Sequence, residues 1–409
     1  MQINHPDGVP MQTHFDSAAA LARLDRLEEY LQEDSDNETL LAEAFNTALQ
    51  CAEWPRAEFH LRHGLALYPE SLHWRLRDAD FWLAQADFGQ ASIVLKTLQK
   101  LPGQQRSFTD AVLQNLAFIE FQSGRYSACA EVLAERLMAD IAPAANVQRA
   151  PAEMALLWLR ANHHENQLDR AIHWTQAFDR EHGLSPQIAG VASLVALDAG
   201  DLELADRWSA MVLDPAFSTD RPIEALVTQA SLALASTDAA KALSFSAQAL
   251  RINPQDGRVL SAHAFAQLLG GQPSAALAYF QKAVSVMPNH IGTWHGQGWA
   301  QLVLHDLDAA HTSFEAALAL DHNFAESHGA LAVVLALQNQ AEPANAHIQV
   351  AQRLDRGNLS GRFAQAILDG ETADARAFEQ MARRLLGGMP SALGDSLFER
   401  VMHASRHRK

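Results

Sequence analysis

A fixed period of 34 residues governs the stretch from Ile223 to Asn358. Four blocks follow one another without a gap, starting at Ile223, Gly257, Ile291 and Ala325. In the third, Trp294 stands fourth, Gly298 eighth, Ala310 twentieth, Phe314 twenty-fourth and Ala317 twenty-seventh. One period back lie Leu260, Ala264, Ala276, Phe280 and Ala283, with Pro288 in thirty-second place. A further period back gives Leu226, Ala230, Ala242, Ser246, Ala249 and Pro254, and the forward shift gives His328, Ala332, Ala344, Ile348 and Ala351. Self-similarity of this kind marks an array of small units, none of which buries its apolar face alone. It overrides the ordinary expectation that a chain of 409 residues holds two or three domains.

This pattern of small and large residues resembles the tetratricopeptide repeat family. The resemblance implies an all-α fold: an α-solenoid (superhelix) of helix-turn-helix units with capping helices at its ends. Each unit is then a pair of antiparallel helices. Small residues at the eighth, twentieth and twenty-seventh places let backbones approach, and larger ones at the fourth, seventh, eleventh and twenty-fourth fill the space between units. Gly or Asn followed by Asp or Gln turns the chain. Proline near the thirty-second place, as at Pro69, Pro254 and Pro288, stops the second helix because it lacks an amide donor.

The same frame runs back to Glu38. Units are expected to start near residues 38, 72, 110, 152, 186, 223, 257, 291 and 325, nine in all and about three quarters of the chain. Arg106 to Thr109, Ala144 to Pro151 and Asp220 to Pro222 fall outside the period as short inserts. Residues 1–37 read as an arm and a capping helix from about Asp16 to Gln32, with Asp16 or Ser17 as its cap and Leu21, Leu24, Leu27 and Leu31 in one stripe. The solenoid proper is expected over 38–358. Residues 359–409 read as C-terminal capping helices, Gly361 to Leu368, Ala373 to Leu386 and Leu393 to His403, ending in a basic tail with Arg400, Arg406, Arg408 and Lys409.

Charge narrows the partners. With 31 basic and 48 acidic residues the formal net charge is −17, which opposes sequence-independent binding to nucleic acid and to an anionic membrane surface. No secretory leader and no apolar run of roughly 18 residues is visible, so a soluble cytoplasmic protein without membrane insertion is expected. Cys51 and Cys129 sit in separate units and form no disulfide framework. Cys129 occupies a small-residue place and is expected to be buried packing.

Signals for chemistry are absent from the sequence. The 19 histidines include His60 with His63, His163 with His164, and a group from His290 to His328, but none has zinc-ligand spacing. No phosphate loop, dinucleotide fingerprint or nucleophile elbow occurs. The chain is therefore expected to be no enzyme, with no cofactor and no metal.

What remains is the groove. In the resembled family the first helix of each unit lines the concave face through the second, fifth, ninth, twelfth and thirteenth places. Carried over, these places give Phe118, Phe121, Arg160, His163, His164, Arg258, Phe265, Leu268, Leu269, His295, Trp299 and Leu302. Aromatic and Arg side chains anchor interfaces because they bury much area at modest entropic cost. The family's carboxylate clamp is not reproduced: Asn46 matches, but Ala42 stands where Lys is needed. The expected function is a non-catalytic scaffold, adaptor or chaperone that binds a partner protein or peptide in the groove. A bacterial secretion or assembly system is the suggested setting, by analogy. The alternative is a self-assembling homo-oligomer, an acidic N-terminal segment meeting the basic tail of another copy.

Overall fold

The fifteenth residue of each unit sets how the two helices turn back on themselves. The computed structural model describes residues 17–142, 148–216, 221–372 and 380. It contains twenty α-helices and no strand among them. The expected helices at 373–386 and 393–403 and the basic tail lie outside the described residues, Gln380 apart, as does Asp16.

The chain divides into two compact units, 1–188 and 189–409. The first holds α1 (Ser17–Glu33), then the hairpins α2 (Glu38–Gln50) with α3 (Trp54–Leu67), and α4 (Leu72–Ala84) with α5 (Phe88–Gln99). It continues with α6 (Arg106–Gln122), α7 (Tyr126–Asp140), α8 (Ala152–His164) and α9 (Leu168–His182). The division falls within α10 (Pro186–Asp198). The second unit then holds α11 (Leu202–Leu213), α12 (Ile223–Ala235), α13 (Ala239–Ile252), α14 (Gly257–Leu269) and α15 (Pro273–Val286). After these come α16 (Ile291–Val303), α17 (Leu307–Leu320), α18 (Ala325–Leu337), α19 (Ala341–Leu354) and α20 (Leu359–Leu368).

One turn is used throughout. Ala52, Ala86, Gly124, Asn166, Gly200, Thr237, Gly271, His305 and Asn339 all have positive φ, from 55° to 79°. The residue after each donates its N–H to the carbonyl five places earlier: Glu53 to Ala48 at 3.0 Å, Asp306 to Gln301 at 3.0 Å, Gln340 to Leu335 at 2.8 Å. This left-handed closure satisfies carbonyls that a helix end would otherwise leave open. The turn recurs at Gly370 (φ 74), where Glu371 N–H donates to Ala366 at 2.9 Å. Asp87, Asp201, Asp238 and Asp306 then cap the following helix, each accepting from the amide three residues on.

The first helix of the third hairpin starts at Arg106, four residues before the start at Asp110 that the period suggests. The reason is Phe108. Its side chain is buried in a cluster with Ala79, Leu95 and Leu98, so the insert winds into one extra helical turn.

Packing follows the small-to-large code. A Cβ placed on Gly64 would lie 2.3 Å from the Trp74 ring of the next hairpin, so that glycine is what admits the indole. Trp74 is fully buried and meets Phe45 edge to face at 6.3 Å. Burying one such ring contributes about 2–3 kcal/mol. Where the first unit cannot close with apolar groups it uses charge. Buried Arg136 donates to Asp110 at 2.8 Å, Asp140 at 2.7 Å and the Gln148 carbonyl at 2.8 Å, while Ala150 N–H donates to Asp140 at 3.0 Å. At the N-terminal end Arg56 holds Asp25 and Glu28 of α1, and the buried His60 donates to Glu28 at 2.9 Å.

Candidate functional site

Repetition places equivalent side chains one above another, so a row of apolar residues at one place in the period becomes a stripe. In the second unit the first helices α12, α14, α16, α18 and α20 form one layer and α13, α15, α17 and α19 the other. The ninth places of the first layer carry Ser231, Phe265, Trp299 and Val333, so this row turns apolar from Phe265 onward. The twelfth places carry Leu234, Leu268, Leu302 and Ala336.

Phe265 and Leu268 are half-buried and pack on the cluster of Ala264, Ala276, Phe280 and Ala300. The Phe265 ring meets Phe280 edge to face at 4.9 Å. Trp299 and Leu302 are half-buried too. They join two clusters, one with Phe314 and Leu331 and one with Val333 and Ile348, and the Trp299 ring stands 5.4 Å from Phe314. Each of these four therefore keeps one side on the core and one side open. Next to them the thirteenth and fourteenth places expose Val303 (52%), Leu304 (36%) and Leu337 (38%). The thirteenth place marks Val303 and Leu337 as groove residues in the sequence, but aromatic and Arg side chains draw attention away from plain aliphatics.

A series of polar contacts also joins successive first helices. The hydroxyls of Ser193 and Thr228 are 3.1 Å apart, and those of Ser261 and Thr293 are 3.3 Å apart. His295 Nε2 lies 2.9 Å from Ser327 Oγ, and Asn358 Nδ2 donates to Glu326 at 3.0 Å, where Ser360 also donates. His295 thus belongs to the interior rather than to the open face. It is 6% exposed and its Nδ1 is buried without a partner. Burial pushes its pKa down to about 4, so the ring is neutral at physiological pH. Glu326 is shifted the other way, above the usual carboxylate range, first by burial, with the Ser360 and Asn358 donors opposing.

The remaining expected residues divide between the two units. Arg258 is exposed and ion-paired with Asp198 at 2.9 Å. In the first unit Phe118 is half-buried and meets Phe88 edge to face at 6.4 Å. Phe121 is buried instead of lining an open face. Its ring packs on Tyr126 at 5.0 Å and His164 at 5.6 Å, and those two rings stack at 4.2 Å. Arg160 and His163 are half-buried. On α4 of the same unit, the Asp80 carboxyl is pushed up to about 6 by burial, against the pull of Arg77 and of the Asn115 amide. Cys129 is fully buried, its thiol pushed up to about 12 by burial first and Glu120 second.

Among the described residues no set of three or more His, Cys, Asp or Glu side chains is arranged to hold a metal ion. No described helix is long and apolar enough to cross a membrane.

The chain matches no protein-family model and no curated protein. Solved structures are similar. Human IFIT1, solved as a dimer with m7Gppp-AAAA, superposes with a TM-score of 0.52 at 12% identity, covering 93% of this chain and 94% of that one. A tetratricopeptide repeat protein from Parabacteroides merdae gives 0.47 at 13% identity over 64% of this chain and 97% of its own. YrrB, described as a TPR protein with an unusual peptide-binding site, gives 0.35 at 19% identity over 47% and 96%. At these identities the likeness is one of fold. The IFIT1 superposition supports an all-α array of helical hairpins, and the repeat code with its recurring turn is that of a tetratricopeptide-repeat fold.

Proposed function

We propose that the protein is a non-catalytic interaction scaffold whose second unit takes a partner peptide, extended or helical, along the first-helix layer. One observation carries the reading: a half-buried apolar row, Phe265, Leu268, Trp299 and Leu302, flanked by exposed Val303 and Leu337. Aliphatic and aromatic groups fixed on rigid helices, each with one open side, suit hydrophobic anchors of a peptide. In cellular terms the proposal is an adaptor or chaperone of the cytoplasm, serving a secretion or assembly system. The ligand of human IFIT1 is not carried over, because a formal charge of −17 opposes a capped RNA. Self-assembly is not chosen, because the basic tail that it invokes lies outside the described residues, as do residues 1–16 of the acidic segment 1–37.

The test is affinity capture from the native host, with partners identified by mass spectrometry, using the wild type beside Val303→Asp and Leu337→Asp. Both sites are exposed, so the variants are expected to melt as the wild type does. Loss of the same partner from both variants supports the reading. Undiminished capture by both refutes it.

A further inference from the structure

His328 on α18 and His347 on α19 point their Nδ1 atoms at each other across a single hairpin, 3.0 Å apart, with ring planes inclined at 36°. The proton arrangement follows from a third contact. His328 Nε2 lies 3.0 Å from the His322 carbonyl oxygen. A carbonyl only accepts, so Nε2 carries the hydrogen and the His328 lone pair sits on Nδ1, facing His347. One proton, on His347 Nδ1, then occupies the gap between two nitrogen lone-pair sites. Both rings are half-buried and both backbones are held in packed helices. Four other histidines meet different partners. His263 faces Ser246 and Gln267, His295 faces Ser327, His290 caps α16, and His60 meets Glu28.

We infer that His328 and His347 form a two-point chelate for a borderline divalent transition metal of the Zn2+ or Ni2+ class. The ion takes the place of the shared proton and both Nδ1 atoms become ligands. With metal–nitrogen bonds of about 2.0–2.1 Å, nitrogens held 3.0 Å apart subtend roughly 95° at the ion, close to an octahedral angle and reachable for a tetrahedral one. A ligating histidine normally donates its other N–H to a carbonyl or carboxylate, which fixes the tautomer; His328 already does so to His322. Two nitrogens do not close a structural site, and water fills the other positions. On α17, His311 lies 3.4 Å from Glu315, and both are near enough for their charges to act on His347. The bound ion would tie α18 to α19 in the last complete hairpin.

The experiment uses the full chain, stripped with chelator and then titrated with Zn2+ alone and with Ni2+ alone by calorimetry and thermal melting. The expected result is one saturable site per chain and a melting temperature that climbs with metal concentration. His328→Gln and His347→Gln should each weaken that site at least about tenfold. His305→Gln, in an exposed turn of the same unit, should leave it unchanged. Melting of each variant without metal shows whether it is folded. Absence of saturable binding, or saturable binding that survives both substitutions in folded protein, overturns the inference.

Discussion

Gly296 stands directly beneath the Phe280 ring of the preceding hairpin. A Cβ added there would lie 2.3 Å from Phe280 Cε1 and 2.8 Å from Phe265 Cζ, so one glycine seats both rings. The contact joins a core residue, a groove residue and the neighbouring repeat in one close approach. Gly296→Ala gains about 1 kcal/mol of helix propensity. Displacing two packed rings costs about 1–3 kcal/mol and prevails. The expected outcome in urea unfolding is a net loss of about 1 kcal/mol. Partner capture should weaken as well, since Phe265 must shift.

Residues with a Cβ in left-handed turns carry strain. Ala52 and Ala86 both have φ of 58. That conformation costs an L-residue about 1–2 kcal/mol, of which the greater freedom of unfolded glycine takes back about half. Ala86→Gly should therefore stabilise the chain by about 0.5–1 kcal/mol, and Ala52→Gly by a similar amount. The sites lie in different hairpins, and the double variant should show the sum. Denaturant midpoints read all three.

His295 and Asp80, both shifted by desolvation, respond to pH in opposite directions. His295 falls from 6.5 to about 4, so its contribution is complete above 6.5 and is lost as pH drops through 4, about 3 kcal/mol in full. Asp80 rises from 3.8 to about 6, so its contribution is complete below 3.8 and is lost as pH climbs through 6. At neutral pH, Asp80→Asn should stabilise the chain by about 1 kcal/mol once solvent screening is allowed for, and the gain should vanish near pH 4. His295→Leu should cost most at neutral pH and progressively less in acid. Unfolding free energies of both variants across that range decide the signs.

Arg136 joins two aspartates that are themselves buried. Arg136→Ala leaves Asp110 and Asp140 without their cation and should cost about 3–5 kcal/mol. Arg136→Lys keeps the charge but cannot reach Asp110, Asp140 and the Gln148 carbonyl at once, and should cost less. Chemical denaturation of both variants measures the difference.

The fold was open to reading because packing and period are the same fact in an array. Helices begin at Glu38, Leu72, Ala152, Pro186, Ile223, Gly257, Ile291 and Ala325, where the repeat places them. Arg106 was hidden because period alone says nothing of Phe108, whose burial draws the insert into helix. The groove was less legible. Place in the repeat puts Phe265, Leu268, Trp299 and Leu302 in the first-helix layer, but it cannot separate an open side from a closed one. Phe121 and His295 occupy groove places and turn inward, one toward Tyr126 and His164 and the other toward Ser327. Those orientations depend on neighbours many residues away.

The extra turn of α6 bears on how a chain of this kind can change length. An α-helix repeats every 3.6 residues, so a residue four places upstream stands only about 40° from the side chain it precedes. Phe108 in the added turn therefore faces the same side as Val112, and both are buried in one cluster. A first helix in such an array can therefore grow at its start by one turn and still offer an apolar side chain to the core, as Phe108 does.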